Sequence, residues 1–171
     1  MKRFVSILVC ILLLLSLATL SWADGEATIT VSSVSAKPGE EISVIISLDN
    51  AKPVNAIFIE PLFDSAVLEI TSIEWLIKSD SSSDWEDFLE YGNAILGYSK
   101  NTDVSGDILE MKIKVSESAN VKTTTIRLGE PIATAMTEDG TTVDVSLKVV
   151  AGIVSIETDQ EHDLVKINAV D

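Results

Sequence analysis

Beyond residue 23 the apolar residues of this chain recur mostly at every second position, and no stretch sustains a helical period. Ile42, Val44, Ile46 and Leu48 alternate with Ser43 and Ser47. Leu109, Met111, Ile113 and Val115 alternate with Glu110, Lys112 and Lys114. Successive side chains of a strand point to opposite faces, so this period fits a strand with one face in a core and the other in water. Shorter versions place Ile29 and Val31 in residues 27–36, and Thr124, Ile126 and Leu128 on one side of Thr123–Leu128. Val143, Val145, Leu147 and Val149 give another. Between them stand turn sequences: Lys37-Pro38-Gly39-Glu40, Asn50 to Pro53, Asp64-Ser65-Ala66, and Asp139-Gly140, the strongest hairpin signal of the chain. Short strands with turns roughly every eight to twelve residues predict an all-β sandwich or barrel.

The segment 54–63 is apolar almost throughout. Placing Ile57, Ile59 and Phe63 inward leaves Ala56, Phe58, Glu60 and Leu62 outward, and a slip of one residue would exchange the two faces. Pro61 lacks a ladder donor and predicts a bulge or an edge. Further strands are expected over 67–73, 93–99 and 152–156. Residues 77–91 are the one long irregular stretch, with a Ser run at 81–83 and acids at Asp80, Asp84, Glu86, Asp87 and Glu90. Within it Trp85, Phe88 and Leu89 are spaced for a helical turn capping one end of the sandwich. From Thr158 onward the chain is polar, with a weak strand-like piece at 164–167.

The N-terminus has a different character. Lys2 and Arg3 precede a run of 17 mostly apolar residues, 4–20, and Ser21-Trp22-Ala23 follows. This is the pattern of a signal peptide cleaved after Ala23. The expected organisation is 1–23 signal peptide, 24–157 a single β-sandwich, and 158–171 a polar tail, with an extracellular destination. The competing reading is an uncleaved anchor, and only that reading brings a membrane into play. A bilayer span needs about 17–25 residues, so the run lies at the short edge. Val9 is too large for a lipoprotein signal at Cys10. Cleavage removes Cys10, the only cysteine, and so excludes disulfides. It also removes two cations, taking the net charge from −15 to −17. Such a surface repels nucleic acid phosphates and anionic lipid headgroups, which argues against both as partners. About 148 residues suffice to bury a core without staples.

Catalytic chemistry finds little here. A nucleophile needs a neighbouring base, and the only histidine is His162, in the polar tail. Zinc needs clustered Cys or His, so no metal or other cofactor is expected. The acids near 80–90, and Asp103 with Asp107, lack the spacing of a calcium loop and read as solvated loop acids. Paired carboxylates for glycoside hydrolysis occur by chance in so acidic a chain. Among the aromatics Trp75 reads as core. Trp85 and Tyr91, in the long irregular stretch, are the candidates for stacking on a sugar.

Several blocks, in order, resemble the cohesin domain, the module that binds dockerins in cellulosome-type assemblies. They are Val34-Ser35-Ala36-Lys37-Pro38-Gly39-Glu40; Phe63-Asp64-Ser65-Ala66-Val67-Leu68-Glu69-Ile70, with Ser65 where the family has proline; Gly106-Asp107-Ile108-Leu109 leading into Lys112-Ile113-Lys114-Val115; and Gly152-Ile153-Val154-Ser155-Ile156. The resemblance covers residues 27–156. It implies a nine-stranded jelly-roll sandwich without enzymatic activity and with a dockerin-like protein partner. The best-known cohesins carry polar Asn and Asp groups at positions aligning with Ala56 and Phe58, where this chain is apolar. The outward set Ala56, Phe58, Glu60 and Leu62 is therefore the candidate protein-binding face. The expected function is that of a secreted, non-catalytic binding module linked to extracellular polysaccharide degradation. The alternatives are a carbohydrate-binding module of the same fold and a structural domain of an envelope assembly.

Overall fold

The computed structural model describes residues 26–49, 53–77, 85–88 (backbone) and 93–157. The expected signal segment, the tail from 158, His162 and Tyr91 lie outside the described residues. Every regular element among the described residues is a strand. In chain order these are β1 (Ala27–Val31), β2 (Val34–Ala36), β3 (Glu41–Asp49), β4 (Val54–Ile59), β5 (Pro61–Leu62), β6 (Leu68–Trp75) and β7 (Trp85–Phe88). They continue as β8 (Ala94–Thr102), β9 (Gly106–Val115), β10 (Thr123–Leu128), β11 (Ile132–Met136), β12 (Thr142–Val145), β13 (Leu147–Val150) and β14 (Gly152–Ile156).

The ladders give one sheet in the order β13-β1-β3-β9-β6, a second in the order β2-β14-β10-β5, and a third in the order β12-β11-β4-β8-β7. The result is the all-β sandwich expected, but with fourteen strand segments among the described residues instead of nine. Three runs that read as continuous in sequence are broken in space: at Ser32-Ser33 between β1 and β2, at Glu60 between β4 and β5, and at Ser146 between β12 and β13. At each break the chain passes from one sheet to another. Period-two alternation carries no information about which neighbour a strand pairs with, so the breaks leave no mark on it. The helical turn expected around Trp85 is also corrected. Trp85–Phe88 is a strand, because its backbone pairs antiparallel with β8, Trp85 facing Gly97 and Phe88 facing Ala94.

The core is made by the alternation. Val44, Ile46 and Leu48 of β3 and Leu109, Met111, Ile113 and Val115 of β9 are all buried, and Trp75 joins them. No polar or charged residue is buried among the described residues. Each fully buried Leu or Ile side chain contributes about 1.5–3 kcal/mol relative to exposure.

Two glycines are required by geometry. Gly140 has φ +82° and closes the β11–β12 hairpin, its N–H donating to the Thr137 carbonyl. Gly152, which opens β14, has no room for a side chain. A Cβ there would lie 2.8 Å from Val31 Cγ1, and closer still to the Ser32 carbonyl oxygen, where β1 crosses to β2. The turn at Asp64-Ser65-Ala66 is held without the family's proline. Asp64 accepts from the Ala66 N–H through Oδ1 (2.9 Å) and from the Leu68 N–H through its carbonyl (2.9 Å).

Candidate functional site

The site is built on β4. Ile57 and Ile59 are buried (1% and 0% exposed), and Phe63 packs against the core. The register is thus the one that puts Ala56, Phe58, Glu60 and Leu62 on the opposite face. Ala56, Phe58 and Glu60 are half-buried and Leu62 is exposed.

What surrounds them comes from distant parts of the chain. Phe58 pairs with Ile132 of β11 on one side and with Ile95 of β8 on the other. Paired residues share a face of a sheet, so these three form one apolar row across three strands. Ile132 is 48% exposed and Ile95 half-buried. The next row places Ala56 between Thr134 and Gly97, and the Thr134 hydroxyl donates to Asn55 Oδ1 at 2.9 Å. Trp85 occupies the β7 position that continues this row past Gly97, and Asp87 the one that continues the Phe58 row past Ile95. The candidate sugar-stacking residue therefore lies at the edge of the same sheet rather than in a separate loop.

One end of this sheet is held by a side chain. Between Val54 and Ala56 the β4–β8 register shifts from Thr102 to Gly97, so β8 bulges. The bulge brings Asn101 to β11. Its Nδ2 donates to the Met136 carbonyl at 2.6 Å, and the Met136 N–H donates to Asn101 Oδ1 at 2.7 Å. The carboxamide replaces the backbone partner that β4 stops supplying there.

At the other end the strand changes partner. The Gly129 N–H donates to the Glu60 carbonyl at 2.8 Å, and the Glu60 carboxylate lies over Gly129 in the space a side chain would fill. Pro61 and Leu62 then pair with Leu128 and Arg127 of β10. Pro61 thus begins a new short strand at the change of sheet, a position that tolerates its missing donor. Leu62 follows Phe58 on the same face but stands in the neighbouring ladder.

Nothing in the sequence marks Ile95 or Ile132 as members of this face; each is an ordinary apolar residue in an apolar run. Elsewhere the acids are dispersed. Asp107 accepts from the Ser47 hydroxyl at 2.7 Å, and no three Asp, Glu, His or Cys among the described residues are grouped to hold a metal ion. At the hairpin, Asp139 is held below the ordinary carboxylate value by the Thr137 hydroxyl and then by Thr141.

Known proteins share this architecture. The seventh ScaB type I cohesin of Pseudobacteroides cellulosolvens superposes with a TM-score of 0.65 at 16% identity, covering 78% of this chain and 93% of that one. The cohesin in the Coh-OlpA-Doc918 complex of Clostridium thermocellum gives 0.61 at 19% identity, covering 78% and 100%. A non-cellulosomal cohesin of the archaeon Archaeoglobus fulgidus gives 0.58 at 22% identity, covering 82% and 97%. In sequence, the chain is 28% identical over 137 residues to cellulose-binding protein A of Clostridium cellulovorans, across 78% of this chain and only 7% of that much longer protein. Residues 27–156 match the Cohesin domain as a family, and the chain belongs to the cohesin family.

Proposed function

We propose that this cohesin domain is exported and takes a dockerin-type protein partner, non-covalently, on the outer face of β4 and β5, in assemblies that act on extracellular polysaccharide. The observation that carries this reading is the apolar row Ile132–Phe58–Ile95. An outward sheet face in water is expected to be polar, and apolar side chains left there favour aggregation unless something covers them. Two kinds of relative support the choice of partner. Cohesins of similar fold were solved in complex with dockerins, from Clostridium thermocellum and from Acetivibrio cellulolyticus. The sequence relative is a cellulose-binding protein. Phe58 is already half-buried, so covering it contributes only part of the roughly 1.5–3 kcal/mol that full burial of such a side chain is worth, about a decade of affinity or less before ordering costs.

The test immobilises residues 24–171 and presents the dockerin-bearing proteins of the same organism. Changing Phe58 and Leu62 to Ser is expected to abolish capture while the thermal midpoint stays close to that of the parent. Unchanged capture would overturn the docking face. Export is tested separately. N-terminal sequencing of the protein recovered outside the cell is expected to begin at Asp24, and an intact Met1 in the membrane fraction would refute cleavage. If sugar binds at all, Trp85 and Tyr91 are the residues through which we propose it does so, weakly.

A further inference from the structure

The outward side of the β5–β10 ladder holds a charge that the rest of the surface does not prepare for. The chain carries 27 Asp and Glu against 12 Lys and Arg. Arginine occurs only at Arg3 and Arg127, and Arg127 stands directly across the ladder from exposed Leu62. Arg127 is exposed, and its guanidinium makes no hydrogen bond or ion pair with any described residue. Together with Leu62, Phe63, Asp64, Thr124 and Thr125 it lines a shallow depression. The one carboxylate of that group, Asp64, is engaged by the Ala66 N–H.

Glu60 lies one ladder step away. It faces Gly129, while Leu62 faces Arg127, so acid and base occupy successive outward steps of the same pair of strands. Diagonal neighbours in a sheet are roughly 7–8 Å apart, within reach of long side chains, but the Glu60 carboxylate lies over Gly129 and makes no ion pair with Arg127. The edge of the apolar row therefore presents one negative group, one apolar side chain and one positive group in a fixed order.

We infer that Arg127 receives a carboxylate of the docked partner and so sets the partner's orientation along β4–β5. This rests on the docking reading above and adds the partner's chemistry: an apolar anchor over Phe58 and Leu62, a basic residue for Glu60, and an acidic residue for Arg127. The surrounding negative potential repels partner carboxylates at most other places, which makes the single guanidinium selective for where an acid can sit. Its planar fork can hold that carboxylate through two parallel N–H···O bonds, fixing direction as well as position. Such a pair contributes to register and partner choice more than to raw affinity.

The experiment uses whichever dockerin-bearing protein of the same organism the 24–171 protein captures, and measures dissociation constants for Arg127→Glu, Arg127→Lys and Phe58→Ser. Reversal at Arg127 is expected to weaken binding roughly tenfold or more. Lysine, which keeps the charge but loses the fork, is expected to fall between the parent and the reversal. Replacing the partner's acidic residues one at a time by Lys should identify one whose change restores binding to Arg127→Glu. Loss of binding with Phe58→Ser but none with Arg127→Glu would overturn the role of Arg127 and leave the docking face standing. No effect from either, or no dockerin captured at all, would overturn the docking face and this inference with it.

Discussion

On the outer side of β3, β9 and β6, Lys114 stands between Glu41 and Glu69, and Lys112 between Ser43 and Ser72. The outer side of β11, β4 and β8 instead places Phe58 between Ile132 and Ile95. Both faces belong to one sandwich and both back onto a buried row of aliphatic side chains. They differ in what water does to them. Charged side chains are solvated by water, so the charged face is complete as it stands in solvent. The apolar row gains nothing from solvent and reaches its lowest free energy only when covered. β9 and β4 show the same division within single strands. The outward positions of β9 are Glu110, Lys112 and Lys114, whereas those of β4 include Ala56 and Phe58. A strand that keeps its inward alternation but loses outward polarity is the basis of the docking face proposed above.

The largest expected effect tests whether β4 truly has one inner and one outer face. Ile57→Ala should lower unfolding stability by about 2–5 kcal/mol, read from denaturant midpoints, because it leaves a cavity among packed side chains. Phe58→Ser, one residue along, should cost far less stability and act on partner binding instead. Equal losses of stability from the two would erase the contrast between the faces.

A smaller effect concerns the end of the apolar sheet. Asn101→Ala removes both partners of the Met136 backbone, at a cost of about 1–3 kcal/mol for buried groups and less here, where they are exposed. The Met136 amide should then exchange with solvent faster, and partner affinity should fall if the β11 side of the row needs that clamp. The charged sheet supplies the control, since Lys114→Gln should leave binding as it was. Unaltered exchange at Met136 would show that the β11–β12 hairpin holds that end without Asn101.

The smallest effect is one of pH, at the hairpin beyond that clamp. The Asp139 carboxyl is held below its ordinary value of 3.8, chiefly by the Thr137 hydroxyl. A group depressed in the folded state contributes stability that is present above its unfolded value and lost as pH falls through its folded value. Amide protection of Thr141 should therefore decrease as pH drops below 3.8 in the parent, and stay level across that range in Asp139→Asn. A flat profile in both would show that the hairpin does not depend on this charge.

What the sequence determined by itself is the division of each strand into two sides. Period two is a local property, so the inward places of Leu109, Met111, Ile113 and Val115 on β9 follow from spacing alone, whereas on the almost wholly apolar β4 the choice of Ile57 and Ile59 over Phe58 was made by the fold. The turn at Asp139-Gly140 follows as locally, because few residues adopt its positive φ. The same logic explains where spacing was silent. Breaks at Glu60 and Ser146 change a strand's neighbour without disturbing its alternation, and the strand at Trp85–Phe88 exists only because β8 offers it an edge. The candidate site is of the second kind. Phe58 was legible as apolar and, in one of two registers, as outward, but its union with Ile95 and Ile132, and that of Leu62 with Arg127, depends on register between strands far apart in the chain. The bond from Thr134 to Asn55 joins residues 79 positions apart. Such pairings are decided when the sheets close on a common core, and no single stretch of sequence contains the information that chooses them.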